Sequence, residues 1–262
     1  FRVVIMRGEE EGLLGSLGML GQLTEDDLSR RMRSGSAGPT LRELLTGIGV
    51  DPAAVSSGKH CVDFAKIAAF IEVHIEQSAR LDNAVTDRVG VVTGIRGLIR
   101  HRTIQAIGET AHAGAVDFPY RKDAALACAR FSSRLYDFWQ HELSLGRDLV
   151  ATTGVIRTSP SASMNKIAGE CIVSLDARSL SAAELNLFEK KVEAILQETA
   201  EETGVIFKTD PLMRIAPVEA DEGVMKKLET SADILKIGTQ RMPSGAGHDA
   251  MNFAAAGVPF AM

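Results

Sequence analysis

Residues 170–203, ECIVSLDARSLSAAELNLFEKKVEAILQETAEET, carry the strongest structural signal in the chain. Apolar and polar side chains alternate over residues 170–178, which predicts a strand with one buried face. Residues 182–203 predict an amphipathic helix that opens with the capping box Ser181-x-x-Glu184. Its apolar stripe consists of Leu185, Phe188, Val192, Ile195 and Leu196. A strand followed by such a helix indicates a sheet with a helix packed on one face.

Similar elements flank this stretch on both sides. The sequence predicts strands at residues 102–107, 149–158 and 205–209, and a helix at residues 123–141. The apolar stripe of that helix consists of Leu126, Phe131, Leu135, Phe138 and Trp139. The resulting βαββαβ order is typical of a compact open sheet with two helices on one face.

Before residue 96 and after residue 210, strands and helices alternate. The predicted strands lie at residues 1–6, 70–77, 89–93 and at the end of the chain. The predicted helices follow the N-cap Thr24 and cover residues 41–48, 221–234 and 249–256, and the predicted loops cover residues 34–39 and 242–247. We therefore predict an α/β protein. Residues 1–95 and 211–262 form an α/β domain with a mixed sheet, and residues 96–210 form an inserted βαββαβ domain.

The composition is that of an ordinary globular protein, with 45% hydrophobic, 24% charged and 5% aromatic residues among 262. The formal net charge is -5 and the basic residues are scattered, so no nucleic-acid partner is expected. No apolar run approaches the roughly 20 residues of a membrane span, so no membrane partner is expected. The three cysteines lie far apart in the sequence, which favours a reducing, cytoplasmic location.

Both ends of the sequence fall inside predicted strands. The chain opens on Phe1-Arg2-Val3-Val4-Ile5-Met6 and closes on Val258-Pro259-Phe260-Ala261-Met262. We therefore expect the natural protein to be longer than 262 residues.

Three consecutive carboxylates, Glu9, Glu10 and Glu11, come directly after the first predicted strand. Open α/β sheets carry their sites at this end of their strands. There, one carboxylate can bind a metal ion while its neighbour moves a proton. A solvated acidic loop is the alternative, and this segment taken alone favours it.

The predicted strand at residues 70–77 places Glu72, His74 and Glu76 on one face, because side chains alternate along a strand. A neutral imidazole between two carboxylates suits a metal ion. The alternative is an exposed polar strand face.

The inserted domain offers three candidate binding residues. His112 lies among small residues that leave an imidazole uncovered, in a loop that is as typical of a plain surface as of a site. Arg178 can hold a carboxylate through two parallel hydrogen bonds, and Asn165 can both donate and accept. An ion pair between Arg178 and Asp176 is the alternative, and these residues taken singly favour it.

The loop Ser244-Gly245-Ala246-Gly247-His248-Asp249 leads into a predicted helix, where backbone N–H groups can face an anion. Asp249 is alternatively only the N-cap of that helix.

Together these segments resemble the zinc-dependent hydantoinase/carbamoylase amidases, a group that includes N-carbamoyl-L-amino acid hydrolase, allantoate amidohydrolase and β-ureidopropionase. The resemblance covers nearly the whole chain and depends on the joint order of the motifs. In chain order these are Phe70-Ile71-Glu72-Val73-His74-Ile75-Glu76-Gln77, Thr93-Gly94-Ile95-Arg96-Gly97, His112-Ala113-Gly114, Tyr120-Arg121-Lys122-Asp123-Ala124, Asn165 with Leu175-Asp176-Ala177-Arg178, and Pro243-Ser244-Gly245-Ala246-Gly247-His248-Asp249-Ala250.

The resemblance implies a two-metal amidohydrolase with a catalytic α/β domain, using zinc or else manganese, cobalt or nickel. It implies His74 and Glu10 as metal ligands, Glu9 as the general base and His112 as a catalytic residue that stabilises the oxyanion. The substrate-binding residues that it implies are Gln77, Asn165, Arg178, Gly247 and His248. Arg178 would take the carboxylate of a small-molecule substrate. The inserted domain would form a homodimer, in which His112 completes the site of the other subunit.

The resemblance also leaves gaps. Three further metal ligands of the family, a His and a bridging Asp before Phe1 and a His after Met262, are expected outside the sequence. The spacing from Glu10 to Leu14 is shorter than in the family, so Glu10 and Glu11 remain an alternative to Glu9 and Glu10 as base and ligand.

The resulting hypothesis is hydrolysis of a linear carbamoyl C–N bond in an N-carbamoyl amino acid or an allantoate-like ureido acid, with release of ammonia and carbon dioxide. One alternative is a metallo-exopeptidase or N-acyl amino acid amidase of the same fold. Another is a metal-free binding protein without catalysis. A substrate panel separates the first two, and the residues before Phe1 test the third.

Overall fold

The computed structural model describes residues 2–32, 38–83 and 88–262, so Phe1 and most of the predicted loop at residues 34–39 lie outside it. The helices are α1 (Leu14–Met19), α2 (Glu25–Ser29), α3 (Leu41–Gly47), α4 (Pro52–Val55), α5 (Ala124–Ser144), α6 (Ala182–Thr203), α7 (Glu222–Ile234) and α8 (Asp249–Ala255). Short 3-10 helices cover Phe64–Lys66 and Phe118–Tyr120. The strands are β1 (Phe70–Ile71), β2 (Arg88–Ile95), β3 (Gly97–Ile107), β4 (Ala111–His112), β5 (Val150–Thr152), β6 (Ile156–Thr158), β7 (Lys166–Ile167), β8 (Glu170–Ser179), β9 (Ile206–Thr209), β10 (Met213–Ile215), β11 (Val218–Glu219), β12 (Gly238–Ser244) and β13 (Phe260–Ala261).

The chain divides into two compact units. Unit 1 contains Phe1–Ile95 and Val218–Met262, and unit 2 contains Arg96–Pro217. The second boundary lies at Pro217 because β10 pairs antiparallel with β3 and so belongs to the sheet of unit 2. Within the described residues, no helix has both the length and the apolar character needed to cross a membrane.

Unit 2 is an antiparallel sheet with two long helices on one face. Strands β3 and β8 form its centre, in the order β10-β3-β8-β5, with β9 also pairing with β3 and β6 with β8. The predicted strand at residues 149–158 is two short strands, β5 and β6, which both pair with β8. Phe131 of α5 and Phe188 of α6 are fully buried in the core between the helices and the sheet. The predicted helices are therefore confirmed, with α5 extending three residues further than expected.

The helix starts and stripes of unit 2 differ from the predictions in two details. Leu126 does not belong to the buried stripe of α5, because 40% of it is exposed and the fully buried Ala127 and Cys128 pack against the sheet instead. At the start of α6, Ser181 accepts a hydrogen bond from the Glu184 N–H, but the Glu184 carboxylate accepts from the Ser179 hydroxyl. The capping box is therefore only half formed.

Unit 1 is built on the three-stranded mixed sheet β11-β2-β12, with β12 parallel to β2 and β11 antiparallel. Val91 of β2 packs in a cluster with α7, and its neighbour Val92 packs in a cluster with α8. Alternate residues of β2 therefore contact helices on opposite faces of the sheet. A separate pair of parallel strands, β1 and β13, contacts α8.

Three predictions for unit 1 are wrong. Residues 2–6 form no strand, and Val3 and Ile5 are exposed, because no other described segment pairs with them. The predicted strand at residues 70–77 ends at Ile71. The predicted loop at residues 242–247 begins only after Ser244, because β12 continues through Pro243 with a shift of register between Met242 and Ser244.

Candidate active site

A half-buried carboxylate, Glu72, forms the centre of the candidate site in unit 1. Its backbone is fixed by the β1–β13 pairing, where the Glu72 N–H donates to the Ala261 carbonyl at 3.1 Å. Its side-chain Oε2 accepts from the Ala250 N–H in the first turn of α8 at 2.9 Å. Burial raises the pKa of Glu72, the hydrogen bond from Ala250 opposes this, and the charges of Asp249 and Glu9 raise the pKa further.

His248 is packed beside this carboxylate as the N-cap residue of α8. Its Nδ1 lies 3.6 Å from Glu72 Oε1, and its Nε2 lies 2.7 Å from the Ser244 hydroxyl. His248 is 1% exposed, and burial, together with the charge of the nearby His74, lowers the pKa of His248 to about 4. His248 is therefore neutral at physiological pH, and Asp249 is the first residue of α8 rather than its N-cap.

His74 is exposed, and its ring contacts the His248 ring edge-on, with 4.6 Å between centroids. The His74 Nδ1 lies 2.6 Å from the Ile75 carbonyl oxygen, so Nδ1 carries the proton in this contact and Nε2 keeps its lone pair. Because the chain leaves the strand at Ile71, the shared face of Glu72, His74 and Glu76 does not form. The Glu76 carboxylate instead accepts the N–H groups of the following turn, 2.9 Å from the Arg80 N.

The three consecutive glutamates lie in a tight turn before α1. The N–H groups of Gly12 and Leu13 both donate to the Glu9 carbonyl, at 3.0 and 2.9 Å. The charge of Glu9 reaches Glu72 and helps to raise its pKa. Unit 1 therefore brings Glu9, Glu72, His74 and His248 together. The geometry of the turn does not distinguish Glu9 and Glu10 from Glu10 and Glu11 as the pair of base and metal ligand.

Gln77 and Gly247 of unit 1 are exposed beside these groups in the sequence. The contact between Ser244 and His248 was not predicted, because Pro-Ser-Gly is typical of a loop and gives no sign of the register shift between Met242 and Ser244. Asp249 is buried as well, and its Oδ1 has no hydrogen-bond partner among the described residues.

Unit 2 brings His112 and Asn165 together. Strand β4, which contains His112, pairs with β7, and the Ala113 N–H donates to the Asn165 carbonyl at 2.9 Å. Both side chains are exposed. His112 Nδ1 accepts from the Gly114 N–H at 3.1 Å, so its Nε2 carries the proton and can donate to a ligand.

Arg178 lies on β8, on the sheet face opposite α5 and α6, and it pairs with Asp176. Its Nε donates to Asp176 Oδ1 at 2.7 Å, while Arg100 Nε donates to Oδ2 at 2.8 Å. Burial by itself raises the pKa of Asp176, but the hydrogen bonds from Arg178 and Arg100 outweigh it and hold the pKa below its ordinary value. The ion pair that competes with a binding role for Arg178 is therefore present.

The chain matches the family model described as Peptidase family M20/M25/M40 over residues 2–262. The chain belongs to this family.

The M20/M25/M40 relatives include named amidohydrolases. The chain is 30% identical over 247 residues to the N-carbamoyl-L-amino-acid amidohydrolase of Paenarthrobacter aurescens, covering 93% of this chain and 58% of that protein. It is 31% identical over 250 residues to the allantoate amidohydrolase of Bacillus subtilis, covering 92% of this chain and 57% of that protein. A crystal structure of a hydantoinase/carbamoylase family amidase from Burkholderia phymatum matches with a TM-score of 0.80 at 29% identity, covering 97% of this chain and 61% of that one.

These comparisons confirm the resemblance to the hydantoinase/carbamoylase amidases and the α/β fold class. The chain spans somewhat more than half the length of the relatives that it matches.

The side chains of unit 1 supply some of the donors that a divalent ion requires. His74 offers an exposed imidazole with a free Nε2, and the neighbouring glutamates offer carboxylates, which suit zinc and the other ions of this series. In the described parts of the chain, no group of three or more His, Cys, Asp or Glu residues is arranged to hold an ion. The donor types fit a metal centre, and further ligands are needed to complete it.

Proposed function

We propose that the protein is an amidohydrolase that cleaves a linear carbamoyl C–N bond in an N-carbamoyl amino acid or ureido acid. The observation that carries this proposal is the agreement between two relatives named for different substrates, N-carbamoyl-L-amino acids and allantoate. Both compounds combine a ureido group with a carboxylate, and this chain has a guanidinium on an open sheet face, at Arg178, that suits the carboxylate.

The overall reaction consumes one water molecule and involves no oxidation or reduction. In R–NH–CO–NH2 + H2O → R–NH2 + CO2 + NH3, the water oxygen is transferred to the carbonyl carbon and both C–N bonds of the ureido group break. Because the ureido carbonyl is stabilised by two nitrogens, the reaction needs a deprotonated water, a proton donor for the leaving nitrogen and stabilisation of the oxyanion.

Arg178 and Asn165 bind the acid end of the substrate in this proposal. Arg178 shares Asp176 with Arg100, so it can turn one edge of its guanidinium to a substrate carboxylate while Arg100 keeps Asp176 ionised and paired. Fixing the acid end orients the carbamoyl end and removes rotational freedom before the reaction.

Glu9 is the proposed general base, with Glu10 and Glu11 as the alternative base and ligand pair. Its carboxylate would take a proton from water and pass it to the leaving nitrogen. His112 donates from Nε2 to the oxyanion, since its Nδ1 is already an acceptor. Gln77, Gly247 and His248 complete the substrate-binding set.

Two divalent ions are part of the proposal, zinc or else manganese, cobalt or nickel, with His74 and Glu10 among their ligands. Bound there, such ions make water acidic enough to be deprotonated near neutral pH. The Ile75 carbonyl accepts the proton of His74 Nδ1 and so fixes the tautomer in which Nε2 has the lone pair for a metal ion.

We also propose a cytoplasmic homodimer formed through the inserted domain. Tyr136 and Leu143 lie two turns apart on α5 and are 52% and 45% exposed. In the proposed dimer, these two side chains would be covered by the second subunit. Replacing Tyr136 by Glu is expected to convert a dimer to a monomer in light scattering.

The experiment is a substrate panel with metal-replete full-length protein. Ammonia release is measured on N-carbamoyl-L-amino acids, N-carbamoyl-β-alanine and allantoate, and amino acid release is measured on N-acetyl amino acids and dipeptides. The proposal predicts turnover of the ureido compounds alone. Turnover of dipeptides or N-acetyl amino acids alone would favour the exopeptidase alternative, which the family description also admits. No turnover of any compound would favour a binding protein.

A further inference from the structure

The carboxylate of Glu72 contacts two different groups at the start of α8. Oε2 accepts the Ala250 N–H at 2.9 Å, and Oε1 lies 3.6 Å from His248 Nδ1. The N-cap residue His248 makes no side-chain hydrogen bond to its own helix. Glu72, the residue that follows β1, therefore supplies the acceptor that an N-cap side chain normally provides.

The His248 ring has one satisfied nitrogen and one unsatisfied nitrogen. Nε2 is hydrogen bonded to the Ser244 hydroxyl at 2.7 Å, which can act as donor or as acceptor. Nδ1 is buried and has no hydrogen-bond partner within the described residues. In the neutral form of the ring, one of these nitrogens carries a proton and the other a lone pair, and Ser244 by itself permits both arrangements.

The position of Glu72 favours one of these two tautomers. A carboxylate oxygen 3.6 Å from Nδ1 is longer than a hydrogen bond, yet it attracts an N–H and repels a lone pair in a buried environment of low dielectric constant. The side chain of Glu72 cannot move away without leaving the Ala250 N–H unsatisfied.

We propose that Glu72 is a positioning residue that holds His248 as the Nδ1–H tautomer, so that Nε2 presents a lone pair and accepts from Ser244 or from a substrate N–H. The ureido group of the proposed substrates carries N–H donors, which suit this acceptor. The link to the substrate rests on the proposed function, whereas the tautomer is measured without any substrate.

The test is nitrogen-15 NMR of the histidine rings in zinc-loaded full-length protein, which distinguishes the two neutral tautomers by their ring-nitrogen shifts. A His248→Gln variant identifies the His248 signals. The proposal predicts Nδ1–H for His248 in the unmodified protein. An Nε2–H tautomer there would overturn it.

Replacing Glu72 by Gln keeps the side-chain volume, and we expect it to favour the opposite tautomer of His248, Nε2–H. The Gln carbonyl would accept the Ala250 N–H, and its amide N–H group would then face His248 Nδ1 and require a lone pair there. We expect the ratio of Nδ1–H to Nε2–H to fall by about tenfold or more, since hydrogen bonds that involve charged groups differ by this order. An unchanged ratio in a folded E72Q protein would overturn the proposal.

Two matched variants separate Glu72 from its neighbours. Glu76→Gln makes the same chemical change four residues away, on a carboxylate that accepts the Arg80 N–H, and it should leave the His248 tautomer unchanged. Ser244→Ala removes the partner of Nε2 but keeps Glu72, so Nδ1–H should persist. An Nε2–H tautomer of His248 in S244A would show that Ser244, and not Glu72, determines the tautomer, and would contradict the proposal. This variant also keeps the test decisive if E72Q does not fold.

Discussion

Replacing Arg178 by Ala tests whether this guanidinium binds substrate or only supports Asp176. Arg100 also donates to Asp176 in the structure, and this hydrogen bond should remain after the change, so the loss of stability should be modest, about 1 kcal/mol. A substrate carboxylate, by contrast, would lose a charged two-point contact worth about 3 kcal/mol, which corresponds to about a 100-fold increase in KM for ureido acids.

The matched control is Arg100→Ala, because Arg100 donates to the same carboxylate from the adjacent strand. Both variants should lower the free energy of unfolding by a similar amount in urea titrations, but only the Arg178 variant should raise KM strongly. Steady-state ammonia release at varied substrate concentration measures this difference. Equal KM changes in the two variants would show that Arg178 acts through Asp176, and would refute the carboxylate-binding role.

Three further predictions concern stability and are checked by urea unfolding of the full-length protein. Phe188→Ala should cost about 3–5 kcal/mol because the ring is fully buried between α6 and the sheet, whereas Leu126→Ala, at an exposed position, should cost less than about 1 kcal/mol. Asp123→Ala should cost about 1 kcal/mol, since its side chain accepts two N–H groups at the start of α5, and Asp123→Asn should retain most of that stability. Asp176→Asn should destabilise the protein at neutral pH. Because the folded-state pKa of Asp176 lies below the unfolded value of about 3.9, the difference from the unmodified protein should be complete above that pH and shrink as the pH falls through the folded pKa. A difference that does not change with pH would contradict the paired carboxylate.

Unit 2 could be predicted from the sequence because its helices carry long, regular apolar stripes. The predicted stripe of α6 is buried, at Leu185, Phe188, Val192, Ile195 and Leu196. The helix ends at Thr203 as predicted, and Gly204 follows in the left-handed conformation that favours glycine. The boundary at residue 217 could not be predicted because β10 has three residues, too few to show a period.

The candidate site of unit 1 was less predictable because it depends on pairing rather than on local pattern. Residues 72–77 alternate like a strand, but a strand requires a neighbour with free N–H and carbonyl groups, and the described pairing with β13 ends at Ile71. The contact between Glu72 and Ala250 joins residues 178 positions apart, which no local spacing reveals. The order of the motifs along the chain nevertheless indicates the family, and this indication requires no knowledge of contacts.

The role of Arg178 is ambiguous in the sequence. Its spacing from Asp176 places both side chains on one face of β8, so an ion pair and a substrate contact are predicted by the same pattern. Only the presence of Arg100 on the adjacent strand shows that Asp176 has a second cation, which makes a transfer of Arg178 to a substrate energetically reasonable.

The central claim, hydrolysis of a ureido group in a carboxylic acid, is tested most directly by the product ratio from N-carbamoyl-β-alanine and N-carbamoyl-L-amino acids. With metal-replete full-length protein, the account predicts one ammonia and one carbon dioxide for each free amino acid formed, at a rate that collapses when Glu9 or its alternative Glu10 is replaced by Gln. Formation of free amino acids from N-acetyl compounds or dipeptides, with no ammonia from any ureido acid, would contradict it.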